Sequence, residues 1–321
     1  MQSTDQIWTE YRQPLVRDLA WSIFSPPLVR SSDPAIASNI QLPDAADRQF
    51  LAALQQQPAP LEAWMGAAKS TRLGLRFERL WQFWLTHGPA RPEPRLEYLF
   101  NLQVPGKGKT LGEIDCLAYD PGAGALCHRE LAVKFYLGID SARLPPEIQP
   151  DAAFCWVGSN VRDRLDLKVR SLFKRQMQIV ESAAGVAALP TQWHWQRLRR
   201  EVIVRGRLFY PFGQTPPLGA TGTIHPAHLH GQWLPLSAIH SLPGAHWCIL
   251  KRQQWFAPIR IAAATPEVSR VLDPQSLEDQ LQKHFYSSNQ ALQIARMGGL
   301  SDGWQELERF FVVADQWPST T

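Results

Sequence analysis

Apolar positions recur at helical spacing over residues 7–24, with a bend near Pro14, and again over Asp44–Gln56 and Leu61–Met65. Ser70 and Thr71 are good caps for a further helix, in which Leu73, Phe77, Leu80, Trp81 and Trp84 make a buried stripe and His87-Gly-Pro marks the stop. The period then changes to two. Leu96, Tyr98, Phe100, Leu102 and Val104 alternate with Glu97, Leu99, Asn101 and Gln103, and the segments Leu111–Leu117 and Arg129–Phe135 alternate likewise. A long amphipathic helix is predicted from Arg162 to about Ala184 with Gly185 as its end signal, and then a strand over Glu201–Tyr210. Beyond residue 212 a Pro/Gly-rich stretch leads to short strands around Cys248–Lys251 and Trp255–Ile261. A helix is expected over Ser276–Met297. The reading is an α/β protein with a mixed sheet. It has an N-terminal helical segment (1–68), a central αβββαβ core (69–211) and a C-terminal α+β extension (212–321).

The second and third strands carry the chemistry. Alternate residues share a face, so Glu113 goes with Asp115, and Glu130 with Lys134, while Ile114, Cys116, Leu131, Val133 and Phe135 face the core. With Pro121–Gly124 as a four-residue turn, Asp115 opposes Glu130. Slipped by two, Glu113 opposes Lys134 instead. Directly opposed side chains lie about 4.5–5.5 Å apart at Cβ. Two carboxylates at that distance need a proton or a cation between them. A divalent metal acting on a phosphodiester is the sharpest chemistry this pattern suggests, and an ordinary cross-strand ion pair is the plain alternative.

Composition adds limits. The chain has 321 residues, 45% apolar, with a net charge of +4. That charge is too mild to argue for nucleic acid, but Arg162, Arg164, Lys168, Arg170, Lys174 and Arg175 crowd one segment, and Arg205 and Arg207 belong to another. No apolar run reaches the roughly 20 residues needed to span a membrane. The N-terminus has no leader pattern, and the four cysteines form no CxxC, so a reducing cytoplasmic setting is expected. His225-Pro-Ala-His-Leu-His230 does not have the spacing of a zinc finger.

The order of elements, with Glu78 on the first helix, Asp115 on the second strand and Glu130 and Lys134 on the third, resembles the PD-(D/E)XK nuclease-like superfamily over roughly residues 70–210. Trp156–Lys168 and the Trp317-Pro318 tail look more specifically like a bacterial family of unknown function placed near those nucleases. The resemblance implies magnesium or manganese held by Asp115 and Glu130, with Glu113 beside them. It implies catalytic roles for Lys134, Glu78 and Gln176. The charge run at 162–168 reads as a solvated helix face or as a phosphate-binding patch, and on the second reading Arg162, Arg164, Lys168 and the strand arginines Arg205 and Arg207 contact nucleic acid. One departure matters. The superfamily keeps its third-strand acid two residues before the lysine, and here that position is Ala132. The expected function is a metal-dependent nuclease acting on DNA or RNA. The rival is a module that kept the fold, lost the spacing, and binds nucleic acid or a protein partner. The C-terminal extension is a candidate substrate clamp, dimer surface or partner-docking region.

Overall fold

Strands at both ends of the chain join one mixed sheet of eleven strands. The structure is a computed structural model that describes residues 6–31, 33–38, 41–67, 70, 72–89, 96–106, 108, 110–141, 154–161, 163–214 and 222–318. The central path runs β2 (Glu97–Pro105), β3 (Thr110–Asp120), β4 (Ala125–Asp140), β6 (Arg197–Pro211), β7 (His230–Pro235), β11 (Gly303–Val313), β10 (Leu292–Leu300) and β8 (Trp247–Ile249). Three short strands attach to its sides: β1 (Ile36–Ser38) to β6, β5 (Phe154–Val157) to β4 and β9 (Arg260–Ala262) to β11. The segments before and after residue 212 therefore share a sheet, joined where β6 runs parallel to β7.

Both faces of β4 are covered, which explains its near-continuous apolar sequence. Leu131, Val133, Phe135 and Leu137 pack with Trp21 of α1 (Pro14–Phe24) and with Phe77, Leu80 and Trp81 of α4 (Leu73–His87). Ala132 and Tyr136 pack on the other side with Val169 and Leu172 of α5 (Leu165–Lys174). Helices α2 (Ala45–Gln56) and α3 (Ala59–Gly66) add Leu51, Leu54 and Leu61 to the first of these cores. The Asp44 and Asp47 side chains cap α2 reciprocally.

β4 and β6 lie parallel from Ala125↔Arg197 to Leu137↔Phe209. Lys134 is opposite Gly206, whose φ is +146° and where a Cβ would stand 1.7 Å from the Lys134 carbonyl oxygen. Only glycine fits that approach.

Three expectations are corrected. The helix predicted from Arg162 is broken. α5 ends at Lys174, Arg175 leaves helical geometry at φ −120°, and a 3-10 turn (Gln176–Glu181) precedes the short α6 (Ala183–Ala188), where Ser182 caps Gly185. Gly185 is thus inside a helix rather than past its end. The helix expected to reach Met297 stops at Ser287 as α7 (Pro274–Ser287), and Leu292–Met297 is strand, because β10 hairpins onto β11 and the sheet overrides local propensity. Helix α4 has Arg72 in the capping position without a side-chain cap, and Thr71 lies outside the described residues.

Candidate active site

The β3–β4 turn decides the register. Asp120 pairs with Ala125 across Pro121–Gly124, and the pairing runs to Cys116↔Arg129. One step further in the same count, Asp115 meets Glu130. There the ladder stops: β4 continues along β6, and the Leu131 N–H that β3 no longer uses donates to the Asp115 carboxylate at 2.8 Å. The register that opposes Asp115 to Glu130 is the one adopted.

Each acid is held by neighbours. Glu130, 1% exposed, lies 2.9 Å from His128 Nε2 and accepts the Gln176 side-chain amide at 2.9 Å. Gln176 in turn accepts from Lys168 Nζ at 3.2 Å. The break after α5 is what brings Gln176 to this position. Glu78 reaches the parting from α4. The Asn101 amide bridges it, at 3.4 Å, to Glu113, at 2.9 Å, while Gln82 donates to Asn101 at 2.7 Å and Gln103 donates to Glu113. Asn101 has φ +53°, and the β2–β3 ladder skips it between Phe100↔Cys116 and Leu102↔Ile114. Asn is the residue type that tolerates this region outside glycine, and such strain collects at functional sites.

Burial dominates the electrostatics. It pushes Asp115 up to about 7, aided by the Glu130 charge and opposed by the Leu131 hydrogen bond. It pushes Glu130 up to about 8, with Lys168 pulling the other way. Glu78 rises to about 7, again from burial first and then from Asp115. Burial and Arg200 lower His128 to about 4, so its imidazole faces Glu130 as a neutral ring. Negative charge is thus costly at each of these three carboxyls.

Lys134 stands apart from this network. Its Nζ donates to Asp163 at 2.5 Å and lies 5.7 Å from the centre of the Tyr136 ring. It lines a cavity of about 600 Å3 beside the carboxylates, whose wall includes Ala132, Arg72, Lys168, Arg252 and Trp255. Leu131 and Lys168 belong to this wall and also touch the acid network, through Asp115 and Gln176. Four cations face one described carboxylate, Asp163.

The expected phosphate contacts separate. Lys168 is at the cavity, whereas Arg164 is held in two hydrogen bonds to Asp166 at 3.1 and 2.7 Å, and Arg162 lies outside the described residues. Arg205 is corrected: it is 0% exposed and donates to the Ile23 carbonyl at 3.2 Å, so it presents nothing to a phosphate. Arg207 is half-buried, with its guanidinium donating to the His230 carbonyl at 2.9 Å, and burial lowers it to about 10. Both sit on β6, a central strand, and Arg205 lies where its face is covered. Among the described residues, no three His, Cys, Asp or Glu side chains are placed to hold one ion, the His225–His230 cluster included.

Sequence reasoning missed Asn101, His128 and Asp163, and the far-off Arg252 and Trp255. A polar Asn between Phe100 and Leu102 was the available signal for the first. Nothing local marks the last two. The Trp156–Lys168 stretch and the tail do meet: Trp317 Nε1 donates to the Ser159 carbonyl at 3.0 Å.

Residues 17–313 match the family described as Domain of unknown function (DUF1853), and the chain belongs to that family. No curated protein matches significantly, and neither does any solved structure. Among the described residues no helix is long and apolar enough to cross a membrane, and all four cysteines are free thiols.

Proposed function

We propose that the protein is a metal-dependent nuclease of the PD-(D/E)XK kind, hydrolysing phosphodiester bonds of DNA or RNA with water as nucleophile. The observation that carries this reading is the opposition of Asp115 and Glu130 where β3 and β4 part, with Lys134 on the same face of β4. Glu130 supplies, from one pair nearer the turn, the acid that Ala132 lacks.

The donor set suits magnesium or manganese. A buried and a half-buried carboxylate, both with raised affinity for protons, are hard oxygen ligands, and magnesium needs only one or two of them because it keeps several waters. Asp115 and Glu130 would hold the ion, with Glu113 tied behind them by Asn101 and Gln103. When bound, such a cation lowers the pKa of its water and offsets charge on the phosphoryl group. The chain's own residues do the rest. Leu131 N–H aims Asp115, and His128 and Gln176 aim Glu130. Glu78, near pKa 7, can take or give a proton at neutral pH. Lys134, oriented by Asp163, supplies positive charge to a phosphoryl oxygen. Arg72, Lys168 and Arg252 give the cavity a sign that suits the phosphate backbone.

The second reading is a nuclease-fold module that binds without cleaving. It draws on Ala132 and on the Lys134–Asp163 ion pair, which occupies the lysine.

The test is incubation of purified protein with duplex, branched and single-stranded DNA and RNA in magnesium or manganese. Cleavage that Asp115→Ala abolishes supports the nuclease. Equal cleavage by Asp115→Ala and unmutated protein overturns it. Salt-sensitive binding with no cleavage of any substrate moves the assignment to the binding module.

A further inference from the structure

A second cavity, of about 430 Å3, lies beside the first. Arg12, Lys251, Arg260 and Arg270 face Glu267 and Asp302 across it. Asp302 is already engaged, 2.9 Å from Arg12 and 3.9 Å from Arg260. The balance is positive, and none of these residues takes part in the carboxylate site.

The two cavities share a wall, the 3-10 turn Arg252–Gln254 with its flanking residues. Arg252 and Trp255 line the carboxylate-side cavity, while Lys251 and Gln254 line the second. Lys251 and Arg252 are neighbours in the chain, with Cα atoms about 3.8 Å apart, yet they serve opposite cavities. Both are exposed. The turn beneath them is firmly held. Arg270 donates to the Ile249 carbonyl at 3.0 Å and to the Gln254 side chain at 2.9 Å, and the same Gln254 oxygen accepts the Lys251 N–H at 3.0 Å. From below, Arg309, 2% exposed, donates to the Trp255 carbonyl at 2.5 Å and to the Ala257 carbonyl at 3.1 Å. A short turn anchored by two arginines is a ridge whose backbone is in place before any ligand arrives, which lowers the ordering cost of binding.

We propose that a nucleic-acid strand occupying the carboxylate-side cavity crosses this ridge and continues into the second cavity, where Lys251 and Arg260 receive its phosphates. Trp304, half-buried in the cavity wall, supplies aromatic surface to a base. A cationic groove with an aromatic wall binds single strands with little sequence preference. The C-terminal segment thereby becomes the part of the protein that sets how long a strand is held. This inference rests on the nuclease reading for what fills the first cavity, but its test uses binding without turnover.

Anisotropy of labelled single strands of about 16 and about 4 nucleotides, on the Asp115→Ala background, reads the track directly. Lys251→Ala with Arg260→Ala should weaken the longer strand about tenfold and lower its salt slope by about 0.7 for each lost phosphate contact. The shorter strand should be held as before. Glu267→Lys, an exposed change that adds a cation, should tighten the longer strand. Unchanged affinity for the longer strand, or an equal loss at both lengths, overturns the track. Hydrolysis of a small chromogenic phosphodiester by the unmutated protein in magnesium is measured alongside. Its absence would count against the nuclease while the binding comparison still decides the track.

Discussion

Asp115 and Leu131 are joined by a hydrogen bond, 2.8 Å from backbone N–H to carboxylate, at the first position where β3 and β4 no longer pair. The side chain takes the place of a strand. This satisfies a backbone donor that the parting would otherwise leave open, and it fixes the carboxylate opposite Glu130.

Removal of that carboxylate should stop catalysis. Asp115→Asn keeps the size and can still accept from Leu131, but it loses the charge. We expect a fall in kcat of at least about a hundredfold with the fold intact, checked by steady-state cleavage and by circular dichroism. Retained activity in this variant would remove Asp115 from the chemistry.

The two remaining acids should differ. Glu130→Gln should weaken magnesium binding, measured by calorimetry, far more than Glu113→Gln, because Glu130 is the residue opposed to Asp115. Glu113 lies two residues along β3 and is taken up by Asn101 and Gln103. A larger loss from Glu113→Gln would reassign the ligand.

Stability of the metal-free protein should fall as pH rises from about 4 to about 8, between the unfolded and the folded titrations. In the unfolded chain carboxyls titrate near about 4, whereas Asp115 and Glu78 are raised to about 7 and Glu130 to about 8 by burial. The folded state therefore keeps protons that the unfolded state has released. Each such proton makes stability decline by up to about 1.4 kcal/mol per pH unit. His128, lowered to about 4, acts oppositely below about 6.5, where the unfolded ring gains a proton that the buried ring refuses. Urea melts across this range should show the decline, Asp115→Asn should flatten it, and millimolar magnesium should restore more stability at the alkaline end. A rise in metal-free stability over the same range would contradict the assignment.

Lys134→Ala should lower kcat about a hundredfold with little change in KM, since the charge acts on the transition state. Asp163→Asn loses the ion pair that orients the lysine, at 2.5 Å, and should cost about tenfold in kcat. An Asp163→Asn protein more active than the unmutated one would instead mark the pair as a brake.

Gly206→Ala should destabilise the protein by about 3 kcal/mol or more, read as a fall in melting temperature, because the new methyl would strike the Lys134 carbonyl at a positive φ. Lys134 would shift with its backbone, so activity should fall along with stability. A variant of normal stability would show that β4 and β6 can separate at this point.

Local pattern alone carried the β3–β4 hairpin, the stripe of α4 and the polar faces bearing Asp115, Glu130 and Lys134. Period and turn chemistry act over a few residues; they left two registers open, of which the fold adopts the one with the four-residue turn. The break that delivers Gln176 was not legible, since residues 162–184 keep a helical apolar period across it and the contact that accompanies the break, Gln176 to Glu130, is long-range. Arg205 read as surface charge because a central strand and an edge strand look alike until the strand order is known. Arg252 and Trp255 join the cavity from more than a hundred residues beyond Lys134 because β7, β11, β10 and β8 extend the same sheet and carry their connecting turns back beside β4. The sequence by itself determined the strands β2, β3, β4 and β6 and which of their side chains share a face. The tertiary structure decided which faces are covered and which distant turns close over the site, because burial and long-range pairing depend on neighbours that no local period encodes.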